Sequence, residues 1–374
     1  MKYFEQYSSN TLAGSANQHF FTLDKDEVHT GRVFYKIFHS GTFNYSLLFS
    51  NIIDSTYGKG DISHHDLVCS SWQIHEAKVA KADKTADFAN VFVDGKTDKI
   101  DFKLSEFSAL TFNNSTSKTV APGEFFSSDP IKLNFEKGDY LCLEITFSGK
   151  MIPYHEESVL PVFRKIDSTW EYNRKMPFAS MIGCDRKVKG RIAFLGDSIT
   201  QGIGPGYNTY KHWTAVLADM LSDEYAYWNL GIGYARANDM AADGAWSYKA
   251  KQNDIVFVCY GVNDICQNKP IEQIEKDLET IVDNFKKINK KVILQAVCPF
   301  GYTEEARLKN LQINKFVKET LAKKVDFFFD MSPVIQNKDR PGMAFYGDHP
   351  NEEGSRLWAE ALFKALNDNG VIEP

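Results

Sequence analysis

The chain has 374 residues, 43% hydrophobic and 14% aromatic, which suffices for sizeable cores and predicts about two domains. Its formal net charge is −6 with both signs mixed, which argues against a nucleic-acid-binding protein, because such a protein usually carries a basic face. It has no run of about 18 apolar residues and no apolar signal core near the N-terminus, so we expect no membrane span, no secretion signal and a cytoplasmic location.

The six cysteines are far apart and none forms a CxxC pair. We therefore expect reduced, mostly buried thiols. The adjacent His64 and His65 stand in a polar segment without further Cys or His at zinc-site spacing, so no metal is expected. A GxG at 202–204 lacks the third glycine and the acidic residue of a dinucleotide site, so no cofactor is expected either.

Residues 1–150 have the pattern of a β domain. Short segments rich in β-branched and aromatic residues alternate with turn-prone clusters such as GKGD and APGE, which is typical of a β-sandwich or jelly roll. Residues 151–186 carry three prolines and little periodicity, and they are predicted to be an irregular linker. The predicted strands are 31–38, 44–53, 75–82, 89–95, 99–104, 107–112, 131–135 and 140–147.

Residues 187–374 have a different pattern, in which apolar strands alternate with amphipathic helices. The strand 254–261 is almost continuously apolar, as expected for a parallel sheet covered on both faces. The series predicts an α/β domain with a doubly wound, five-stranded parallel sheet. Its predicted strands are 191–196, 224–231, 254–261, 291–297 and 325–330, and its predicted helices are 209–221, 270–288, 303–323 and 351–367.

Polar and glycine-rich turns follow these strands. In a doubly wound sheet the ligand site lies beyond the carboxyl ends of the strands. That edge would gather 196–198 (Gly-Asp-Ser), 229–234, 261–264 (Gly-Val-Asn-Asp), 299–300 (Pro-Phe), Asp330 and His349, which precedes the last helix. A serine hydroxyl needs a base to become a nucleophile, histidine is the usual base, and backbone or Asn N–H groups stabilise an oxyanion. The sequence therefore predicts an ester-cleaving site.

Each piece has a plain structural interpretation by itself. A serine between a strand and a helix is usually an N-cap or turn residue, GVND is usually a turn, and a histidine before a proline usually lies on the surface. Their shared order and placement favour the functional interpretation.

Four stretches carry a family resemblance: GDSIT (196–200), NLGIG (229–233), GVND (261–264) and HPNEEG (349–354). They resemble, in order, the four blocks of the SGNH, or GDSL, family of ester hydrolases. The resemblance implies a flavodoxin-like hydrolase fold. The G-x-S-x-G elbow of the α/β-hydrolases is absent, because position 200 is Thr.

The resemblance also implies roles for these residues. Ser198 would be the nucleophile and His349 the general base and then the general acid. The oxyanion hole would consist of the backbone N–H of Ser198, that of Gly233 or its neighbour, and the side chain of Asn263. Asp197 is expected to hold the loop around Ser198.

Two positions depart from the family pattern. Tyr234 stands where the second block usually has a second glycine, so either Gly233 or Tyr234 could supply the second amide. The fourth block usually has Asp three residues before its histidine, whereas position 346 is Tyr. Three alternatives remain for orienting the imidazole of His349: a backbone carbonyl in a Ser–His dyad, Asp348 through a bent loop, or a distant acid such as Asp330.

The N-terminal half bears on the substrate. Residues 110–149 are similar to the β-sandwich that precedes the hydrolase domain in some SGNH carbohydrate esterases, which implies an O-acylated, most often O-acetylated, sugar. We expect a small-molecule or oligosaccharide ester as the ligand, and the sequence leaves the oligomeric state open, a homo-oligomer included. The alternatives are an esterase or thioesterase for longer acyl chains and, in another class, an inactive carbohydrate-binding protein.

Overall fold

The computed structural model describes residues 2–14, 16–24, 27–55, 67–84, 102–155, 158–206, 208–337, 340–341 and 349–372. The described chain divides into two compact units, one ending at Val188 and the other beginning at Lys189. The predicted strand 89–95 and the histidines at 64 and 65 lie outside the described residues.

The first unit is rich in β-strands, as predicted. After helix α1 (Tyr3–Gln6), its strands are β1 (Ser8–Ser9), β2 (His19–Phe21), β3 (His29–Lys36), β4 (Gly41–Ser50), β5 (Ile52–Ile53), β6 (Leu67–Val68), β7 (Trp72–Lys84), β8 (Phe102–Leu104), β9 (Ser108–Ala109), β10 (Lys118–Val120), β11 (Phe125–Ser127), β12 (Ile131–Phe135), β13 (Tyr140–Gly149), β14 (Ile152–Tyr154), β15 (Val162–Ile166), β16 (Thr169–Tyr172) and β17 (Met181–Cys184).

Two antiparallel sheets organise this unit. One has the order β1-β17-β4-β11, with β12 also paired to β4, and the other has the order β10-β7-β13-β3-β15-β16, with β8 and β9 paired to β7. The long strands β7 and β13 pair over ten residues of β13, with a bulge between Thr146 and Phe147. The finer sandwich or jelly-roll arrangement stays a prediction.

Residues 151–186 correct the sequence-based expectation. Instead of an irregular linker, they contain β14 to β17, of which β15 extends the larger sheet and β17 lies within the smaller one. Prolines suggested a break, but Pro153 lies in β14, which among the described strands pairs with β2 alone, and proline is tolerated on such an edge. The other three strands are only four or five residues long, which is too short for a clear alternation of apolar and polar residues.

The second unit contains the predicted five-stranded parallel sheet. Its order is β19-β18-β20-β21-β22, which is the flavodoxin-like order 2-1-3-4-5 in chain sequence. Every residue of the central strand β20 is buried, as its continuous apolar run predicts. The strands are β18 (Gly190–Gly196), β19 (Tyr225–Asn229), β20 (Ile255–Cys259), β21 (Lys291–Gln295) and β22 (Phe327–Phe329), and a two-residue pair follows, β23 (Gln336–Asn337) with β24 (Arg340–Pro341).

Helices connect these strands. The long ones lie close to the predicted ranges, because each presents an apolar stripe to the sheet. Short ones were missed, since one or two turns give too little periodicity to recognise. The helices are α2 (Ser198–Gln201), α3 (Trp213–Met220), α4 (Ala237–Ala241), α5 (Ala245–Ala250), α6 (Val262–Cys266), α7 (Ile271–Lys286), α8 (Glu304–Glu319), α9 (Ser332–Ile335) and α10 (Glu352–Asp368), with a 3₁₀ turn at Leu321–Lys323.

Two tryptophans fix the last helix in the second unit. The rings of Trp213 in α3 and Trp358 in α10 stack with centroids 4.8 Å apart and an interplanar angle of 7°, and both are fully buried. Trp358 also donates through Nε1 to Oε1 of Gln295, at the end of β21, at 2.8 Å. Across the described ranges, no helix is long and apolar enough to cross a bilayer.

Candidate active site

Ser198 is the first residue of α2, directly after the turn from β18, at the carboxyl edge of the sheet. Asp197 is the N-cap of α2, and its Oδ1 accepts a hydrogen bond from the Ile199 amide at 3.0 Å. Since Asp197 takes the capping role, Ser198 is the first helical residue, and its side chain is half-buried. A Cβ at Gly196 would come within 2.1 Å of Thr200 Oγ1, so glycine is needed for this tight turn.

The structure brings Ser198 and His349 together from distant parts of the chain. Ser198 Oγ lies 2.7 Å from His349 Nε2, although the residues are 151 positions apart. His349 is only 7% exposed and stands just before α10, whose N-cap Asn351 accepts from the Gly354 amide at 2.9 Å. The ring of Phe300 meets the imidazole edge to face, with centroids 5.3 Å apart.

The loop after α2 sets the position of His349. Gly204 has a φ of +118°, and a Cβ there would lie 2.3 Å from the carbonyl oxygen of Pro350 and 3.0 Å from Cβ of His349. The backbone therefore passes close to the histidine only because position 204 has no side chain.

Asn229 fastens the segment after β19 to α2. Its Nδ2 donates to the carbonyl oxygen of Thr200 at 2.9 Å, and its Oδ1 accepts from the Gly231 amide at the same distance. A Cβ on Gly231 would lie 2.3 Å from the backbone nitrogen of Gln201. The sequence placed Asn229 at this edge of the sheet but did not reveal this fastening role.

Tyr234 has the backbone conformation that glycine adopts most easily. Its φ is +61°, in the left-handed region, and its side chain is 38% exposed. The Ala235 amide donates to the carbonyl oxygen of Ile232 at 3.2 Å, which closes a turn around Gly233 and Tyr234. The tyrosine at position 234, where the family pattern has glycine, therefore adopts a backbone conformation that is unfavourable for a residue with a side chain.

Asn263 lies in α6 and faces the same loop. Its Nδ2 donates to the carbonyl oxygen of Ala235 at 2.9 Å. An amide nitrogen carries two hydrogens, and this bond uses one of them. The neighbouring Asp264 is buried and accepts from the Ala237 amide through Oδ2 at 3.0 Å. These two bonds tie α6 to the loop that holds Gly233.

Buried acids lie beneath these loops. Burial raises the pKa of Asp264 to about 7, although the Ala237 amide opposes the shift, and the Asp239 carboxylate adds to it. Burial likewise raises the pKa of Asp197 to about 7, against the Ile199 amide and with a contribution from Asp264. Asp239 itself pairs with Arg236 at 3.1 Å, and both side chains are buried.

Of the two acids considered for orienting His349, Asp330 and Asp348, the structure describes only Asp330. Asp330 Oδ1 accepts from the Ser332 amide at 2.9 Å, and within the described part of the chain it makes no bond to His349. Asp348 and Tyr346 lie outside the described residues, so the choice between the Asp348 and backbone-carbonyl alternatives remains a prediction.

The described side chains form no evident metal centre. Within the described ranges no group of three or more His, Cys, Asp and Glu could hold a metal ion. Five of the six cysteines are buried, Cys266 is exposed, and all six are free thiols.

The second unit is thus an α/β domain in which Ser198 and His349 are in contact at the carboxyl edge of the parallel sheet. Residues 194–357 match the model of the GDSL-like lipase/acylhydrolase family. A search of curated proteins found no match.

Solved structures similar to this chain each cover slightly less than half of it. A putative lipolytic protein of the G-D-S-L family from Desulfitobacterium hafniense is 20% identical over 47% of this chain and 99% of its own, with a TM-score of 0.41. The esterase EstA from Pseudoalteromonas is 17% identical over 48% and 98%, with a TM-score of 0.40. An acetyl xylan esterase, AlAXEase, is 21% identical over 47% and 99%, with a TM-score of 0.39.

The contact at Gly204 gives a testable prediction. Gly204→Ala should displace the segment of His349 and lower kcat for an activated ester by at least about tenfold, since small misplacements are costly in catalysis. Gly370→Ala is the matched control, because Gly370 also has a positive φ of +59° but a Cβ added there would have no atom within 4 Å. Equal kcat values in the two variants, measured at equal folded fractions, would contradict the role assigned to Gly204.

The buried Asp264 gives a prediction about pH. With a pKa of about 7 when folded and about 3.9 when unfolded, the native state holds more protons between these values, so the free energy of unfolding falls as pH rises from about 4 to 7. Asp264→Asn removes this titration and retains an oxygen for the Ala237 amide. The variant should therefore gain stability relative to the wild type on going from pH 4.5 to pH 8 in denaturant titrations.

The exposed Glu319→Gln serves as the control for this comparison. A difference between wild type and Asp264→Asn that stays constant across this pH range would show that Asp264 does not titrate as described.

Proposed function

We propose that the chain is a serine esterase that hydrolyses acyl esters, most often acetyl esters of carbohydrates, through an acyl-enzyme on Ser198. The observation that carries the proposal is the 2.7 Å approach of Ser198 Oγ to His349 Nε2 at the carboxyl edge of the parallel sheet. This distance suits transfer of the serine proton to the imidazole.

In the first half of the proposed reaction, Ser198 donates its hydroxyl proton to His349 Nε2 while Oγ attacks the carbonyl carbon of the ester. The negative charge on the carbonyl oxygen is stabilised by the Ser198 amide, the second N–H of the Asn263 side chain and the amide of Gly233 or Tyr234. Preorganised donors of this kind contribute about 2.7–4 kcal/mol each.

In the second half, the tetrahedral intermediate collapses and the bond to the alcohol oxygen breaks. His349 returns the proton to that oxygen, and the free alcohol leaves an acyl-serine. Water then attacks the acyl-serine with His349 again as the base, which releases the acid and regenerates Ser198. The net reaction is ester plus water to acid plus alcohol.

The dyad is the form we propose for the base, with a backbone carbonyl orienting His349. Its support is that Asp330, the distant alternative, is engaged with the Ser332 amide. An acid in a triad orients the imidazole and stabilises the imidazolium and does not itself take the proton, so a dyad is chemically sufficient. Asp348 remains the alternative third member.

The carbohydrate substrate rests on the resemblance of residues 110–149 to the β-sandwich of SGNH carbohydrate esterases. The strand-rich first unit supports this interpretation. An esterase or thioesterase for longer acyl chains would instead show rising activity from acetyl to octanoyl esters. An inactive carbohydrate-binding protein would bind sugar without reacting with a fluorophosphonate.

Ser198→Ala tests the proposal directly. The variant should fold normally, lose turnover of p-nitrophenyl acetate to background and no longer be labelled by a fluorophosphonate, because no hydroxyl remains to form the acyl-enzyme. Ser222→Ala is a matched control, since Ser222 precedes β19 at the opposite edge of the sheet. Retained turnover in folded Ser198→Ala would refute the assignment of the nucleophile.

Asp348→Asn separates the dyad from the triad. We expect kcat to fall by less than about tenfold, because the dyad does not depend on this carboxylate. A loss on the order of a thousandfold, with unchanged KM, would instead make Asp348 the third member.

A further inference from the structure

A pocket of about 250 Å³ lies in the second unit, and Phe300, whose ring contacts the imidazole of His349, is part of its lining. Apolar and aromatic residues line part of it, including Ile265, Phe300 and Tyr302. At roughly 30 Å³ per molecule, its volume equals that of about eight waters. It is smaller than the sites of drug-sized ligands, which start near roughly 300 Å³, and suits a single small ring.

Two elements connect the pocket to the site. Phe300 lines the pocket and also meets the imidazole of His349 edge to face at 5.3 Å. Cys266 lines it as well and follows Asn263 by three positions in α6, so the two side chains share one face of that helix. Phe300 therefore lies between the pocket and the proposed base His349, and Cys266 lies one helical turn from the proposed oxyanion donor Asn263.

Polar residues line another part of the pocket. Asn268, Glu305 and Lys309 contribute to the pocket, and Lys309 donates through Nζ to Oδ1 of Asn268. A sugar ring combines an apolar face of C–H groups with a rim of hydroxyls, which matches aromatic walls beside hydrogen-bonding heads. A long hydrocarbon chain would desolvate the charged heads without giving hydrogen bonds in return.

The reaction direction decides which half of the ester occupies the pocket. In the proposed mechanism His349 returns its proton to the leaving alcohol oxygen, so the alcohol must lie on the side of His349. Phe300 extends from that side into the pocket.

We propose that this pocket binds the alcohol half of the substrate as a single glycosyl unit, with Glu305 and Lys309 as residues that determine specificity. This inference rests on the proposed function and names its substrate subsite. Glu305 accepts hydrogen bonds from sugar hydroxyls, Lys309 and Asn268 offer further polar groups at the rim, and Phe300 supports the apolar face of the ring.

The test compares esters that share an acetyl group and differ only in the alcohol. Methyl mono-O-acetyl-glucopyranoside and ethyl acetate form the same acyl-enzyme, so a substitution that changes the ratio of their kcat/KM values changes binding of the alcohol. Glu305→Gln and Lys309→Met should each lower kcat/KM for the glucoside about tenfold and change that for ethyl acetate less than about twofold, because only the glucoside carries ring hydroxyls that can bond to these two side chains.

Glu319→Gln and Lys318→Met are matched controls on the exposed end of the same helix, α8, and should leave both substrates unchanged. A second series, p-nitrophenyl acetate, butyrate and octanoate, varies the acyl group at constant alcohol. If Glu305→Gln and Lys309→Met alter this series and leave the glucoside-to-ethyl ratio unchanged, the pocket holds the acyl group and the inference is wrong.

The outcomes also separate this inference from the proposed function. A wild type that turns over p-nitrophenyl acetate and reacts with a fluorophosphonate but does not prefer the glucoside overturns the inference alone. A wild type that does neither overturns both.

Cys266 provides a readout from the other wall of the pocket. It is the exposed cysteine of the six, so N-ethylmaleimide can reach it in the folded protein. The side chain is nevertheless partly enclosed by the fold, which raises the pKa of its thiol to about 11, so the reaction needs alkaline pH. Complete modification should abolish glucoside turnover and spare that of ethyl acetate, and Cys266→Ser should be insensitive. Unchanged glucoside turnover after full modification would contradict the pocket assignment.

Discussion

The candidate site depends on a backbone contact that leaves no room for a side chain. The segment after β19 lies so close to α2 that a Cβ on Gly231 would be 2.3 Å from the backbone nitrogen of Gln201. Asn229 holds this contact by hydrogen bonds to both sides of it. Because α2 begins with Ser198 and the segment continues to Gly233, this single contact sets the distance between the reactive hydroxyl and the loop proposed to receive the oxyanion.

Near this contact, two buried carboxyl groups hold loops in place by accepting hydrogen bonds from backbone amides. Asp197 caps α2, and Asp264 receives the Ala237 amide that starts α4. Burying such groups is unfavourable unless they accept hydrogen bonds, and each of the two does so from a backbone amide. Their oxygens are used to hold two loops in place, so their chemistry is structural although Asp197 stands next to the reactive serine in the chain.

Much of the second unit could be predicted because its physical signals are strong. Continuous apolar strands alternating with long amphipathic helices indicate a parallel sheet, and the rule for its carboxyl edge placed Ser198, Asn263 and His349 in one region. The structure brings Ser198 and His349 within hydrogen-bond distance. The strands β14 to β17 were missed because they are short and flanked by prolines.

Other features depend on contacts through space and could not be read from local pattern. The close contact between Gly204 and His349 joins two segments that are far apart in the sequence. The positive φ of Tyr234 could not be predicted either, because tyrosine rarely adopts that conformation. Phe300 is an intermediate case. The edge rule places it near the site because it follows β21, but its edge-to-face contact with the imidazole of His349 could not be read from the sequence.

The stacked Trp213 and Trp358 have a consequence for when the chain becomes reactive. Trp358 belongs to the helix that follows His349, and its stacking partner lies in the helix that follows the Ser198 turn. When α10 packs against α3 through this stack, it closes a long loop and also brings His349 to Ser198. A chain in which helix α10 has come away from the sheet would keep a serine with ordinary alcohol reactivity, because the base would no longer be held against it.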